Sequence, residues 1–484
     1  MATATHLRQL AILLLAPVFL WAAGCVAPLG PGYIIEKQEI RVHFQPSPEP
    51  RILIEADYQL RNTGNRPLSS LELRLPAKYR FRFADQRASW DGAILNEEAA
   101  PKDPRNTLLQ FPQTWLMGSS HTLHLSLELQ SSSTGDSGLS FASDAFFLPS
   151  EGWSPELLPA RGFLSTGGVP PEKWELQVRV PDGFLVHTSG GKRKTSRSSG
   201  ELTVRALQRP EDLYPFVVAG RYSEEQVLSG SEKVLLWSRA RQDSGALRQS
   251  SDALARAIQA YDAAFGDRGK EAHTLWIVEC PVVSGCFTHL HSINASLLGE
   301  DAEATTAELA SLDTLMVDAS GGGPRLAAAA PSLAASWLGY GQNPGFFEQD
   351  PPLSEFPAFA AATGREAVDG PQARIATIRR ALLLIPQNTA TTKKDTQDVL
   401  RAKSFLFFYA LQDRYGKESF RNAVHHMLDA RRGKGFDLDD LIAAFGQETH
   451  QNVAEFVRLW MKHPGVPPDF RARYEDASAT AAIF

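Results

Sequence analysis

Few side chains in this 484-residue chain combine the type and spacing that chemistry needs, and most lie between residues 280 and 403. His289 and His291 stand two apart. On a strand both imidazoles would face one side, within reach of a common metal ion. A catalytic zinc site takes three protein ligands, and no third stands beside them, so strand histidines hydrogen-bonded to neighbours are the plainer reading. Cys280 and Cys286 bound the stretch CPVVSGC. They read either as a small disulfide-closed loop or as two reduced core thiols. Glu355, in LSEFPA, offers a lone carboxylate, and Arg401 and Lys403, in RAKS, offer two cations. A guanidinium can stabilise an anion electrostatically. His425-His426 reads as a solvated stretch of helix face.

The elements that must position these groups are legible from periodicity. From Tyr33 to about 227, YIIEKQEIRVHF, RILIEADYQLR, SSLELRLP, HTLHLSLELQ, WELQVRVP and YPFVVAGRY alternate apolar and polar residues. Asn62-Thr63-Gly64-Asn65, Pro181-Asp182-Gly183 and Ser189-Gly190-Gly191 separate them as turns, which predicts a β-sandwich. After about 231 the period changes. Leu247, Leu254, Ile258, Tyr261 and Phe265 fall on one helical face that stops at Gly266. HTLWIVECP, GCFTHLHSINASLL and the run from Leu312 to Val317 follow as predicted strands. The stretch Gly321 to Gly341, GGGPRLAAAAPSLAASWLGYG, carries no charge after Arg325 and predicts a helix buried on nearly all sides. Helices are expected near 373–384, 405–415 and 418–431, then one opened by Asp437 or Asp439, and a last one with Val453, Phe456, Val457 and Trp460 facing one way.

Composition bounds the rest. The net charge is −6 without a long basic run, which argues against nucleic-acid binding. His6 and Arg8 precede an apolar run, Leu10 to Trp21, too short for a comfortable membrane span and suited to a signal peptide. The run ends in Ala22-Ala23-Gly24-Cys25. Small residues directly before a cysteine resemble a bacterial lipoprotein processing site, which implies cleavage before Cys25, a lipid on that residue, and an anchored protein of the cell envelope. Val26 after the cysteine fits an outer-membrane destination facing the periplasm.

The segment PSLAASWLG resembles the H-E-x-x-H-x-W-x-G helix of the membrane alanyl aminopeptidase-like zinc peptidases (gluzincins). Aligned on Trp337 and Gly339, the family's zinc-binding histidines fall on Pro331 and Ala335, and its water-polarising Glu on Ser332. Proline and alanine have no donor atom to give a metal, and serine is a poor base. LSEFPA is similar to the motif of the third ligand, which falls on Glu355. The strand motif whose Glu grips the substrate amine matches Gly285-Cys286-Phe287-Thr288-His289, with Thr288 at the Glu position. The oxyanion-steadying Tyr falls on Arg401. WELQVRVPDGFLVHTSGG and VVAGRYSEE resemble stretches of the family's N-terminal sandwich, so the likeness covers about residues 33 to 470.

The resemblance implies a multidomain α+β protein: signal peptide 1–24, tether 25–32 with Cys25 lipidated, β-sandwich 33–230, thermolysin-like domain 231–470 with a small mixed sheet plus helices, and tail 471–484. It implies a frame whose catalytic and metal positions are lost. The expectation is a catalytically inactive lipoprotein, without a cofactor, that binds a peptide or a membrane-protein partner. The alternative is a divergent metallopeptidase in which Glu355 with His289 or His291 surrounds a zinc ion.

Overall fold

The computed structural model describes residues 31–74, 82–100, 106–130, 141–149, 153–160, 168–191, 193–209, 215–229, 232–239, 244–266, 274–281, 307–311, 313–317, 333–334, 337, 352–385, 395–431 and 436–475. The chain divides into two compact units. The first is drawn from Met1–Thr134, Glu151–Asp182 and Gly191–Gln208, the second from Gly135–Ser150, Gly183–Gly190 and Arg209–Phe484.

The first unit is a β-sandwich. Its larger sheet runs, in spatial order, Lys194–Ser198, Glu201–Leu207, Trp174–Pro181, Ile34–Gln45, Arg51–Arg61, Ser120–Gln130, Arg82–Trp90 and Ala93–Ile94. All neighbours are antiparallel except Ile34–Gln45 beside Trp174–Pro181, where Ile40 lies opposite Leu176 and Val42 opposite Val178. The second sheet runs Glu156–Leu157, Leu68–Arg74, Asn106–Trp115 and Asn96–Ala99. Period-two alternation points Tyr58, Leu60, Leu71, Leu73, Leu109, Trp115, Leu123 and Leu125 into one apolar core.

Acid should unpick part of the larger sheet's polar face. Burial alone would raise the Asp57 carboxyl, but hydrogen bonds from His124 and Arg41 outweigh it and hold the group below its ordinary 3.8. Asp91 is likewise pushed up by burial and pulled down further by His121 and the Thr122 amide. A carboxylate lowered in the folded chain contributes stability above its unfolded value and loses it as pH falls through the folded one. Asp57→Asn with Asp91→Asn should therefore flatten the acid limb of the stability curve below about pH 4. An acid-unfolding midpoint identical to the native chain's would contradict this.

The second unit holds two sheets and eight helices among the described residues. A five-stranded mixed sheet runs Tyr222–Ser229, Glu232–Arg239, Thr274–Glu279, Thr314–Val317 and Ala307–Ser311. Its two outer pairings are antiparallel and its two inner ones parallel. A smaller sheet runs Leu185–Thr188, Val217–Gly220, Ala145–Leu148 and Phe141–Ala142. The helices are α1 (Ser244–Phe265), α2 (Phe356–Asp369), α3 (Pro371–Leu383), α4 (Asp395–Tyr415), α5 (Lys417–Ala430), α6 (Leu438–Thr449), α7 (Val453–Lys462) and α8 (Pro468–Glu475). Ile258, Tyr261 and Phe265 of α1 are buried, and the helix closes at Gly266 with φ +76°. Asp437 caps α6 in a reciprocal box with Asp440. The helix expected near 405–415 starts earlier, at Asp395.

Helices α1 and α2 approach closely at Gly364. A Cβ there would lie 2.0 Å from the Tyr261 hydroxyl oxygen. Tyr261 is fully buried between Phe265 and Trp337 and has no room to retreat. Gly364→Ala should cost about 3 kcal/mol, the upper end of overpacking, as read by chemical denaturation. Adding Tyr261→Phe should recover part of that loss; an unchanged midpoint in the single variant would contradict the contact.

Candidate functional site

Glu355 ends a 3₁₀ turn, Leu353–Glu355, that runs directly into α2. Pro357, which lacks the N–H that a helix start leaves unused anyway, suits the first turn. Leu353 and Phe356 flank the carboxylate and are anchored in the core. Phe356 packs on Phe265, Phe359, Phe408 and Phe436. This anchoring drags Glu355 inside, where its side chain is only 4% exposed.

A buried carboxylate needs a compensating charge. Arg401, in the second turn of α4, supplies one: its Nε donates to Glu355 Oε1 at 2.9 Å. The guanidinium side chain is 41% exposed, so the pair has one sealed and one accessible end. Buried Ala402, Phe405 and Leu406 fix the helix that carries it. The two residues aligned with a zinc ligand and an oxyanion stabiliser thus meet. The anion that Arg401 steadies is the protein's own.

Lys403 behaves differently. Its ammonium is buried and donates to the carbonyls of Met461, at 3.1 Å, and His463. It satisfies groups that the C-terminal end of α7 leaves open. Burial lowers its pKa. It is a fastener rather than a reactive group.

Cys25, Cys286, Thr288, His289, His291, Pro331, Ser332 and Ala335 lie outside the described residues. The neighbours of the last three do not. Leu333, Ala334 and Trp337 have helical backbone and are buried in the same core as Leu353 and Phe356. The Trp337 indole N–H donates to Asp262 Oδ1 of α1 at 3.1 Å. Cys280 is buried at the end of Thr274–Glu279, its amide bonded to the Val317 carbonyl at 2.9 Å.

Zinc does not fit the aligned ligand positions. Of the aligned ligand positions, Pro331 and Ala335 carry no donor, and Glu355 already accepts a hydrogen bond from a cation. Among the described residues, no three His, Cys, Asp or Glu side chains converge as metal ligands.

Two further polar clusters escaped the sequence reading. In the second unit, buried His187 meets the Thr314 hydroxyl at 2.7 Å, and Thr314 donates to Asp313 Oδ1 at 2.9 Å. Arg209 reaches Asp313 Oδ2 at 3.2 Å, and the imidazole stacks on Trp276 at 4.0 Å. The arrangement has the look of a proton relay, yet His187 and Thr314 are 1% and 0% exposed, so it joins strands rather than meeting solutes. The second cluster centres on Arg374 of α3. It donates to Gln412 at 2.8 Å and lies 3.6 Å from Glu366 and 3.7 Å from Asp413. Tyr474 of α8 donates to the same Asp413 at 2.8 Å. No local motif signals either cluster, because each joins elements dozens of residues apart.

No family model and no curated protein matches the chain. Solved structures do. An M1 zinc metallopeptidase from Deinococcus radiodurans superposes with TM-score 0.56 at 17% identity, covering 91% of this chain and 96% of that one. A mutant of that peptidase bound to a Tyr-Ser-Ala substrate matches with TM-score 0.55 at 16% identity, covering 90% and 96%. Likeness at this identity is a likeness of fold. The chain therefore has the fold of the M1 zinc metallopeptidases: an N-terminal β-sandwich followed by a small mixed sheet and helices.

Proposed function

We propose that the protein is a lipid-anchored member of the bacterial cell envelope that keeps the metallopeptidase frame, has lost its hydrolytic chemistry, and works by binding a peptide or a membrane-protein partner. The observation that carries this reading is the 2.9 Å contact between Arg401 and buried Glu355. A carboxylate that holds a metal is neutralised by that metal. Here a guanidinium from the chain does the neutralising, and the residue able to polarise water is replaced by Ser332. Thr288 at the amine-gripping position removes the carboxylate that would select a free N-terminus.

The native chain is expected to leave aminoacyl-arylamides uncleaved at any zinc concentration. Chelator-sensitive turnover that Glu355→Ala abolishes would overturn the proposal in favour of a divergent hydrolase. Anchoring rests on the short apolar run ending at Ala22-Ala23-Gly24-Cys25. Metabolic labelling with a fatty acid should mark the native chain and not Cys25→Ala. Equal labelling of both would remove the lipid from Cys25.

A further inference from the structure

We propose that the end of the β-sandwich carrying Leu116 and Met117 lies against the lipid surface, with these two side chains seated at the headgroup boundary. The inference rests on the Cys25 anchor proposed above and adds which face of the first unit it presents to the bilayer.

Strand register brings the turn that carries both residues to the end where the chain enters. Ile34–Gln45 starts there, and the Gly64 amide donates to the Gly32 carbonyl at 2.7 Å. Ile34 lies opposite Arg61, and Arg61 opposite Ser120. The turn before Ser120 is thus a neighbour of the entry point. Buried Asn62 ties it to the loop after Arg61: its side chain donates to the Arg66 and Trp115 carbonyls and accepts from the Gly64 amide, while its carbonyl accepts from Gly118.

Among the described residues of the first unit four large apolar side chains are exposed, and two of them, Leu116 at 61% and Met117 at 56%, stand at this end. The other two, Ile94 and Leu207, lie level with Glu39, in the middle of the first strand. The exposure is built in. Leu116 to Ser119 form a tight turn in which Gly118 has φ +75°, and the Ser119 amide and hydroxyl both donate to the Leu116 carbonyl. Trp115 beneath is fully buried. The turn holds Leu116 and Met117 outward where a soluble domain would place polar residues.

The tether fixes the occupant. Cys25 precedes Gly32 by seven residues, which reach at most about 25 Å when fully extended. A lipid on Cys25 therefore keeps this end close to the bilayer whatever the partner, and apolar tips flanking a short anchor add a second membrane contact.

The test uses the full-length lipidated chain on phosphatidylcholine–phosphatidylglycerol vesicles. Leu116→Cys, Met117→Cys and, away from that end, Ile94→Cys and Ser198→Cys each carry a polarity-sensitive thiol label in a Cys280→Ala/Cys286→Ala background. The labels at 116 and 117 should shift to the blue and be quenched by nitroxide lipids at least about two-fold more than the labels at 94 and 198, independent of salt. Vesicle flotation with all labels equally aqueous overturns this inference and leaves the anchor standing. Failure to float overturns the anchor and the inference together. A blue shift that follows protein concentration without vesicles makes the face a contact between copies and also overturns it.

Discussion

A variant combining Pro331→His, Ser332→Glu, Ala335→His and Arg401→Tyr is expected to take up zinc, and the same variant with Arg401 retained to bind it at least about a hundred-fold more weakly. The first three changes restore donors that the aligned helix lacks. They leave Glu355 hydrogen-bonded to a guanidinium at 2.9 Å. A dication arriving beside that group meets repulsion worth about 4 kcal/mol per unit charge at 4 Å with an effective dielectric constant of 20. Solvent at the open side of Arg401 screens part of this, which is why the expectation stays near a hundred-fold. Zinc titration by calorimetry reads the difference. Equal affinity with and without Arg401→Tyr would mean that Glu355 is not part of the reconstructed site.

Arg374→Ala should destabilise the second unit by about 3 kcal/mol, the cost of stripping one partner from a buried ionic cluster. Arg374 is 6% exposed, and its guanidinium stacks over the Tyr409 ring at 4.7 Å while meeting Gln412, Glu366 and Asp413. These partners lie on α2 and α4, and Asp413 also takes the Tyr474 hydroxyl from α8. Losing Arg374 leaves two inward carboxylates with less cation between them. Arg374→Ala and Asp413→Ala should therefore be strongly non-additive in a double-mutant cycle. Additive losses would reduce the cluster to independent surface pairs. Hydrogen exchange should speed first in α8, whose Arg471 also donates to the Ile385 carbonyl at 2.8 Å.

Much of this fold is legible in the sequence. Arg51–Arg61 and Trp174–Pro181 coincide with the alternating stretches, because each has one face on the core and one in solvent. Strands without that contrast were missed. Lys194–Ser198 is exposed along its whole length, so no period shows, and Glu232–Arg239 carries a continuous apolar run. Ala145–Leu148, buried on both sides, has no alternation either.

The site was legible in part. Glu355 and Arg401 were each singled out, but only as positions in two motifs 46 residues apart. That they neutralise each other depends on how the 3₁₀ turn packs beside α4, which neither motif contains. Lys403 reads as one of two cations in RAKS, while its work at the end of α7 depends on carbonyls 58 and 60 residues away. Charge pairing across helices leaves no trace in local periodicity, whereas burial does.

Zinc content of the native chain, measured by mass spectrometry after equilibration with excess zinc and desalting, tests most directly whether a guanidinium has taken the metal's place beside Glu355. Background zinc, unaltered by Glu355→Ala, is the predicted result. Stoichiometric zinc that Glu355→Ala removes would contradict it.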